Sequence, residues 1–286
     1  MIETIYIARH GFRLNWIDTK WKSPTGLPRD PPLAAHGEAQ AQELAAYFLT
    51  LPQEQRPTAI FSSPYCEPSY LHHRRKILKS AIPDRCLQTS KPTSQALQVP
   101  IYVEHGISEW YSPVAPGTGL HPRPSSAAVL QTYFSEIDPS WSSIWYPSRR
   151  GEDVQGLQER AKGFLDLLIP EIETRFGDKH KNILLVSHAA TIIVLSQGLL
   201  AQPDLPLRVG CCSISEFSRK SGALGVLGGW DAKALASGSH LKEGASRDWG
   251  LEDIRLADGK VVTDNGEPGM EEEEDNHGPQ IHRSSL

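Results

Sequence analysis

Residues 182–187, Asn-Ile-Leu-Leu-Val-Ser, constrain the fold more than any other stretch of the chain. Four apolar residues in a row, without alternation, describe a strand buried on both faces. Such a strand belongs in the middle of a parallel sheet with helices on either side. The chain supplies those helices. Residues 152–176 put Leu157, Ala161, Phe164, Leu167 and Leu168 on one stripe, and residues 189–200 follow the strand directly. Another strand opens the chain at 2–8, and shorter ones read at 58–62 and 101–103, with helices at 37–49 and 85–98. Pro92 should kink the last of these or shift its start. The alternation predicts an α/β fold: a doubly wound, mostly parallel sheet flanked by helices. A helical and loop insertion at 111–150, with one helix near 127–137, is expected to cap one face. A hairpin is expected from 209–217 and 223–227. Residues 1–260 read as a single domain. Residues 261–286, with the acidic run Glu271 to Asp275, read as a disordered tail.

Bulk properties narrow the function classes. A net charge of −5 offers no global basic field, so direct nucleic-acid binding is not expected. No apolar run reaches the ~18 residues of a membrane span, and the first residues lack the charged-then-apolar layout of a signal peptide. The four cysteines, Cys66, Cys86, Cys211 and Cys212, form no Cys-x-x-Cys pair, which argues against a zinc site or a disulfide framework. The expectation is an intracellular protein with reduced thiols, resident in the cytoplasm, the nucleus or both. The sequence carries no signal of oligomeric state.

Three strands end in polar groups that can converge: His10, Glu104 and His188. Histidines at strand ends admit two chemistries. A metal site would recruit carboxylates beside the histidines, often as His-x-x-x-His on a helix, and none is present. Arginines near both loops would repel a cation, but their forks match the oxygens of a phosphate. In such a pocket a neutral imidazole can attack phosphorus, arginines can spread the developing charge, and a carboxylic acid can protonate the leaving oxygen. That chemistry needs neither metal nor cofactor.

Several motifs, in order, resemble the histidine phosphatase (phosphoglycerate-mutase-like) superfamily. Arg9-His10-Gly11 matches its hallmark after the first strand. Asp30 to Ala41 matches Asp-x-Pro-Leu-x-x-x-Gly-x-x-Gln-Ala. Ser62-Ser63-Pro64, Arg85-Cys86-Leu87-Gln88-Thr89 and Val186-Ser187-His188 match three more. The resemblance implies that His10 is phosphorylated during turnover and that Arg9, Arg85 and His188 hold the phosphate. Its proton donor is a Glu six residues before a Trp, a spacing met by Glu104 and Trp110. Glu109, beside the same Trp, is the rival. Glu104 is favoured because it ends a strand as the other site groups do. Arg13 is similar to a second arginine in eukaryotic members related to the T-cell-receptor-signalling suppressors. Those members also share the look of Val103 to Trp110 and Pro147 to Glu152. A fungal group similar to the phosphatase-like subunit of the RNA polymerase III transcription factor complex resembles the chain further, in Gly210-Cys211-Cys212-Ser213, Gly228-Gly229-Trp230 and Asp248-Trp249-Gly250. That implies a small-molecule or protein phosphoester as substrate, or protein-complex partners.

Two departures stand out. Phe12 and Arg13 replace the residues usual in mutases, and Asn15 falls five rather than six residues after His10, which disfavours mutase chemistry. Asn15 stays a candidate substrate contact. Residues 67–84 also split Ser-Ser-Pro from Arg85. This stretch, with His72-His73-Arg74-Arg75-Lys76 and Lys79, reads either as a basic loop for an anionic partner or as an unspliced short intron. A genuine insertion is expected to strain the placement of Arg85. Cys211-Cys212 reads as buried packing, and His121, His240, His277 and His282 as solvated.

Overall fold

The computed structural model describes residues 1–22, 31–64, 84–257, 260–270 and 275–281. Asp30, Cys66, residues 67–83, the run Glu271–Glu274 and His282 therefore lie outside the described residues. Six strands form the main sheet: β1 (Thr4–Arg9), β2 (Ala59–Ser62), β3 (Ile101–Val103), β5 (Asn182–Ser187), β6 (Ile214–Arg219) and β7 (Trp230–Ser237). Their order is β3-β2-β5-β1-β6-β7, with β1, β2, β3 and β5 parallel and the last two antiparallel. This is the mostly parallel, helix-flanked sheet that the alternation predicts.

Side chains alternate across the sheet and fill two apolar layers. Tyr6, Ala8, Ile60, Leu184 and Val186 face one way, onto Leu44 and Phe48 of α1 (Ala35–Thr50) and Leu87 of α2 (Arg85–Leu97). Ile5, Ile7, Phe61, Ile183 and Leu185 face the other way, onto α4 (Val154–Phe176) and α5 (Ala189–Leu200). Every residue of β5 is buried, as its unbroken apolar run requires. On α4 the buried stripe is Leu157, Ala161, Phe164, Leu165, Leu168, Ile169 and Ile172. Leu167 lies at its margin, partly covered. Among the described residues no helix is long and apolar enough to cross a membrane.

Three expectations need correction. The helix near 127–137 shrinks to α3 (Ala127–Leu130). Beyond it the backbone pairs with the free edge of β3, through Ile101 N to Glu136 O at 3.0 Å and Asp138 N to Ile101 O at 2.9 Å. Filling those edge hydrogen bonds outweighs helix propensity while still burying Phe134 and Ile137. The hairpin partner of β6 is β7, at 230–237, not 223–227. Gly222, Gly225 and Gly228 break the latter stretch, and Leu224 is fully exposed. α2 runs through Pro92 and keeps its expected start.

The tail is the third. Of the residues after 260, 260–270 and 275–281 have defined places. β9 (Lys260–Val261) pairs with β8 (Leu256–Ala257), Asp264 and Glu267 bridge to Val114 and Leu120, and β10 (Gly278–Pro279) pairs with β4 (Trp145–Tyr146). Asp275, only 5% exposed, accepts from Ser148 Oγ at 2.7 Å and Arg149 N at 2.9 Å. Composition alone missed this order because backbone and carboxylate hydrogen bonds onto the 111–150 segment supply it, not a periodic apolar face.

Candidate active site

Register decides which strand ends meet. β1 and β5 are neighbours with Arg9 opposite Ser187, so His10 and His188 leave the sheet side by side, ring centres 5.4 Å apart. His10 N donates to Ser187 O at 3.0 Å. Two glycines let the following loop close over the edge. A Cβ on Gly11 would lie 2.7 Å from the Gly37 carbonyl oxygen. The glutamines of the matched motifs brace the same loop: Phe12 N donates to Gln40 Oε1 at 3.0 Å and Leu33 N to Gln88 Oε1 at 2.8 Å.

Arg85 is the first residue of α2. The buried Asp84 caps that helix, accepting from Leu87 N at 3.0 Å. Arg85 is brought into the site, so the 67–84 stretch does not displace it. Its Nη2 donates to Glu109 Oε2 at 2.8 Å and lies 3.1 Å from His188 Nδ1.

Glu104 does not join them. β3 sits three places from β1 in the sheet, roughly 14 Å away at the usual strand spacing. Its carboxylate points into the α4 side of the core, with Oε2 accepting from Trp141 Nε1 at 2.9 Å and Ile144 N at 3.1 Å, and Oε1 from Gly106 N at 2.8 Å. Burial pushes its pKa up to about 7 against the pull of those hydrogen bonds. The chain instead turns through His105–Ile107 and travels back over β5. Three side chains hold its carbonyls: Arg160 Nη1 on Gly106, Ser187 Oγ on Ile107 and Thr191 Oγ1 on Ser108, at 2.7, 2.7 and 2.8 Å. That turn delivers Glu109, whose Oε2 lies 3.3 Å from His188 Nδ1. The expectation that Glu104 faces the pocket is thus replaced: the strand end gives direction, but the turn after it decides which glutamate arrives.

Protonation follows from partners. His10 Nδ1 lies 2.8 Å from the Gly11 carbonyl oxygen, which only accepts, so Nδ1 carries the hydrogen and Nε2 keeps the lone pair. Burial first, then Arg85, Arg9, His188 and Arg13, hold the His10 pKa well below its ordinary 6.5. His188 faces the donor Arg85 at Nδ1. Its Nε2–H therefore donates to Ser63 Oγ at 2.8 Å, and Ser63 Oγ donates to Pro64 O at 3.1 Å. Burial is the main force lowering the His188 pKa to about 3, with Glu109 opposing it. Around Glu109, burial is the largest single influence and works upward. His188, Arg85, Arg13 and Arg9 together outweigh it and keep the carboxyl below its usual range.

Arg9 is 6% exposed, and its Nη1 donates to Val209 O and Arg247 O at 2.6 Å each. Arg13, Asn15, Arg85 and Glu109 line a cleft of about 570 Å³, walled further out by Tyr111 and Trp249. Asn15 Oδ1 is buried there and takes no hydrogen bond from the described residues. The site gathers Arg9, His10, Arg13, Asn15, Arg85, Glu109 and His188. Ser63 was visible only as part of a motif. His121, expected in solvent, is buried with its ring stacked on Tyr111 at 4.6 Å. Cys86, Cys211 and Cys212 are buried free thiols.

The model of the histidine phosphatase superfamily (branch 1) matches residues 73–228, more than half of the chain. The chain belongs to that superfamily. The matched span holds Arg85, Glu109 and His188 of this histidine phosphatase fold, and β1 contributes Arg9 and His10 from outside it. The transcription factor tau 55 kDa subunit of Saccharomyces cerevisiae (strain ATCC 204508 / S288c) is 36% identical over 229 residues, 76% of this chain and 47% of that protein. The chain thus spans about half the length of the curated relative it matches. Among solved structures, the ecdysone phosphate phosphatase from Bombix mori in complex with tungstate superposes with a TM-score of 0.55 at 15% identity, covering 82% of this chain and 93% of that one. That likeness is one of fold.

Proposed function

We propose that the chain is a metal-independent phosphatase that hydrolyses a phosphomonoester through phospho-His10. The observation that carries this reading is the triangle of Arg85 Nη2, Glu109 Oε2 and His188 Nδ1 beside a neutral His10 with its Nε2 lone pair free. Arg9, Arg13 and Arg85 hold the phosphate dianion, and His188 joins them once the bound anion's charge has raised its pKa and Nδ1 is protonated. His10 Nε2 attacks phosphorus, the P–O bond to the leaving group breaks, and Glu109 gives that oxygen its proton. Water then attacks the phosphohistidine, Glu109 takes the water's proton, and the P–N bond breaks to release inorganic phosphate.

Glu109 begins as a carboxylate, yet the first step needs an acid. Substrate resolves this. A dianion that engages the arginines screens the charges that hold the Glu109 pKa down and adds a negative neighbour, and both effects raise it. Glu104, tied to Trp141, Ile144 and Gly106, is a structural residue in this reading. The test is hydrolysis of p-nitrophenyl phosphate. His10→Ala abolishes turnover while a chelator leaves wild type unaffected; turnover surviving the substitution refutes the assignment.

A second reading rests on the yeast relative: the chain serves as a phosphatase-like interaction module of a nuclear transcription factor complex. Recovery of transcription factor subunits in stoichiometric amount on the tagged chain, with negligible turnover of any phosphoester, favours it over the first.

A further inference from the structure

Two motifs have no task in that mechanism: Gly210-Cys211-Cys212-Ser213 and Asp248-Trp249-Gly250. In the fold they meet. Val209 N donates to Trp249 O at 2.9 Å, and Cys211 N donates to Ser246 O at 2.8 Å. A Cβ on Gly210 would lie 2.7 Å from the Ala245 Cβ, so a glycine there lets the 245–249 loop settle against the end of β1.

This clamp holds Arg247 at φ +55°, a left-handed conformation that residues with a side chain avoid. Such a conformation survives only where its surroundings over-determine it, and it concentrates at functional sites. Its two ends both touch groups beside His10. The backbone carbonyl of Arg247 accepts from Arg9 Nη1, and its guanidinium sits 5.4 Å from the ring centre of Trp16 and 5.6 Å from that of Phe12. Trp16 lies 6.4 Å from the His10 ring and also carries the guanidinium of Arg13 at 4.2 Å and of Arg9 at 5.8 Å.

One indole therefore gathers three guanidiniums at the lip of the His10 pocket. Arg9 is buried, whereas Arg247 is exposed and makes no ion pair among the described residues. The neighbouring Asp248 carboxylate turns toward Gly210 instead. The charge of Arg247 is eased in part by the π face beneath it and further by an anion bound beside it.

We propose that Arg247, stacked on the Trp16 ring, forms a second anion subsite at the mouth of the pocket, selecting phosphoesters that carry a second anionic group. The proposal rests on the phosphatase reading of the His10 pocket. Its test uses binding, so that the two can fail separately. The probes are short peptides bearing a non-hydrolysable phosphonate analogue of phosphotyrosine, flanked on both sides by glutamate or, in the matched control, by glutamine. Calorimetry gives Kd for each with the full chain at low salt. Wild type should prefer the glutamate peptide by about threefold to tenfold, less as salt rises. Arg247→Gln should erase that preference, and so should Arg247→Gly, a residue at ease at φ +55° that guards against misfolding. Absence of the preference from wild type, or its retention by either variant, overturns the subsite. Turnover of p-nitrophenyl phosphate by wild type, measured alongside, judges the phosphatase reading by itself.

Discussion

Replacing Glu104 and Glu109 by glutamine, one at a time, separates a carboxylate that holds the fold from the one proposed to move a proton. Glu104 is fully buried among N–H donors only: Trp141 and Ile144 on Oε2, Gly106 on Oε1. In its better orientation a glutamine keeps its oxygen on the first two and turns its NH₂ toward the Gly106 N–H. That leaves a donor facing a donor, at a cost of about 1–3 kcal/mol. In a domain of this size each kcal/mol lowers Tm by roughly 2–4 °C, so Glu104→Gln should fall by roughly 2–12 °C. The folded fraction should keep kcat within about threefold, since no Glu104 oxygen faces His10. Glu109→Gln should do the reverse. Its amide oxygen can still accept from Arg85, so Tm moves little, whereas loss of the acid should lower kcat by roughly 100-fold or more on an alkyl phosphate. On p-nitrophenyl phosphate, whose leaving group needs less protonation, the loss should be under about tenfold. The assay pairs calorimetric Tm with turnover of both esters. Loss of turnover in Glu104→Gln at unchanged Tm, with full activity in Glu109→Gln, would refute the reasoning.

Other expectations follow from the same geometry. Because burial and three cationic neighbours keep His10 neutral far below pH 6.5, kcat/KM counted on the dianionic ester alone should hold as pH falls from 7 to about 5.5; once the ester's own protonation at about pH 6 is divided out, a remaining acid limb centred on 6.5 would contradict the burial argument. Ser63→Ala removes the acceptor that orients His188 Nε2–H, and should cost about tenfold in kcat/KM with little change in Tm; undiminished turnover would show that this bond does not orient the ring. Burial lowers the His105 pKa to about 4, so between pH 4 and 6.5 the unfolded chain binds a proton there that the folded chain does not. The resulting stability, on the order of 3 kcal/mol, is fully present above pH 6.5 and lost as pH falls through 4; urea midpoints should show that part of the acid slope vanish in His105→Gln. Asp275→Ala strips the acceptor from Ser148 and Arg149, and should lower the urea midpoint by the equivalent of roughly 1–3 kcal/mol and open residues 260–270 and 275–281 to protease. An unchanged midpoint would mean that the tail is not held there.

The sequence by itself determined the sheet and its two histidines. The apolar run of β5 and the alternation of β1 are local statements of burial, and a parallel sheet has few ways to satisfy both. Motif order then supplied Arg9, Arg13, Arg85 and His188, and even the glutamines that brace the loop after Gly11. Tertiary structure decided what depends on direction rather than type. Glu104 and Glu109 lie five residues apart in the same motif. Only the strand order, which puts β3 three places from β1, and the turn pinned by Arg160, Ser187 and Thr191 select the second over the first. Trp16 and Arg247 are more than two hundred residues apart, and nothing in either neighbourhood announces the other. The placement of residues 260–270 and 275–281 was likewise invisible, since hydrogen bonds to a distant segment leave no period in the chain that makes them.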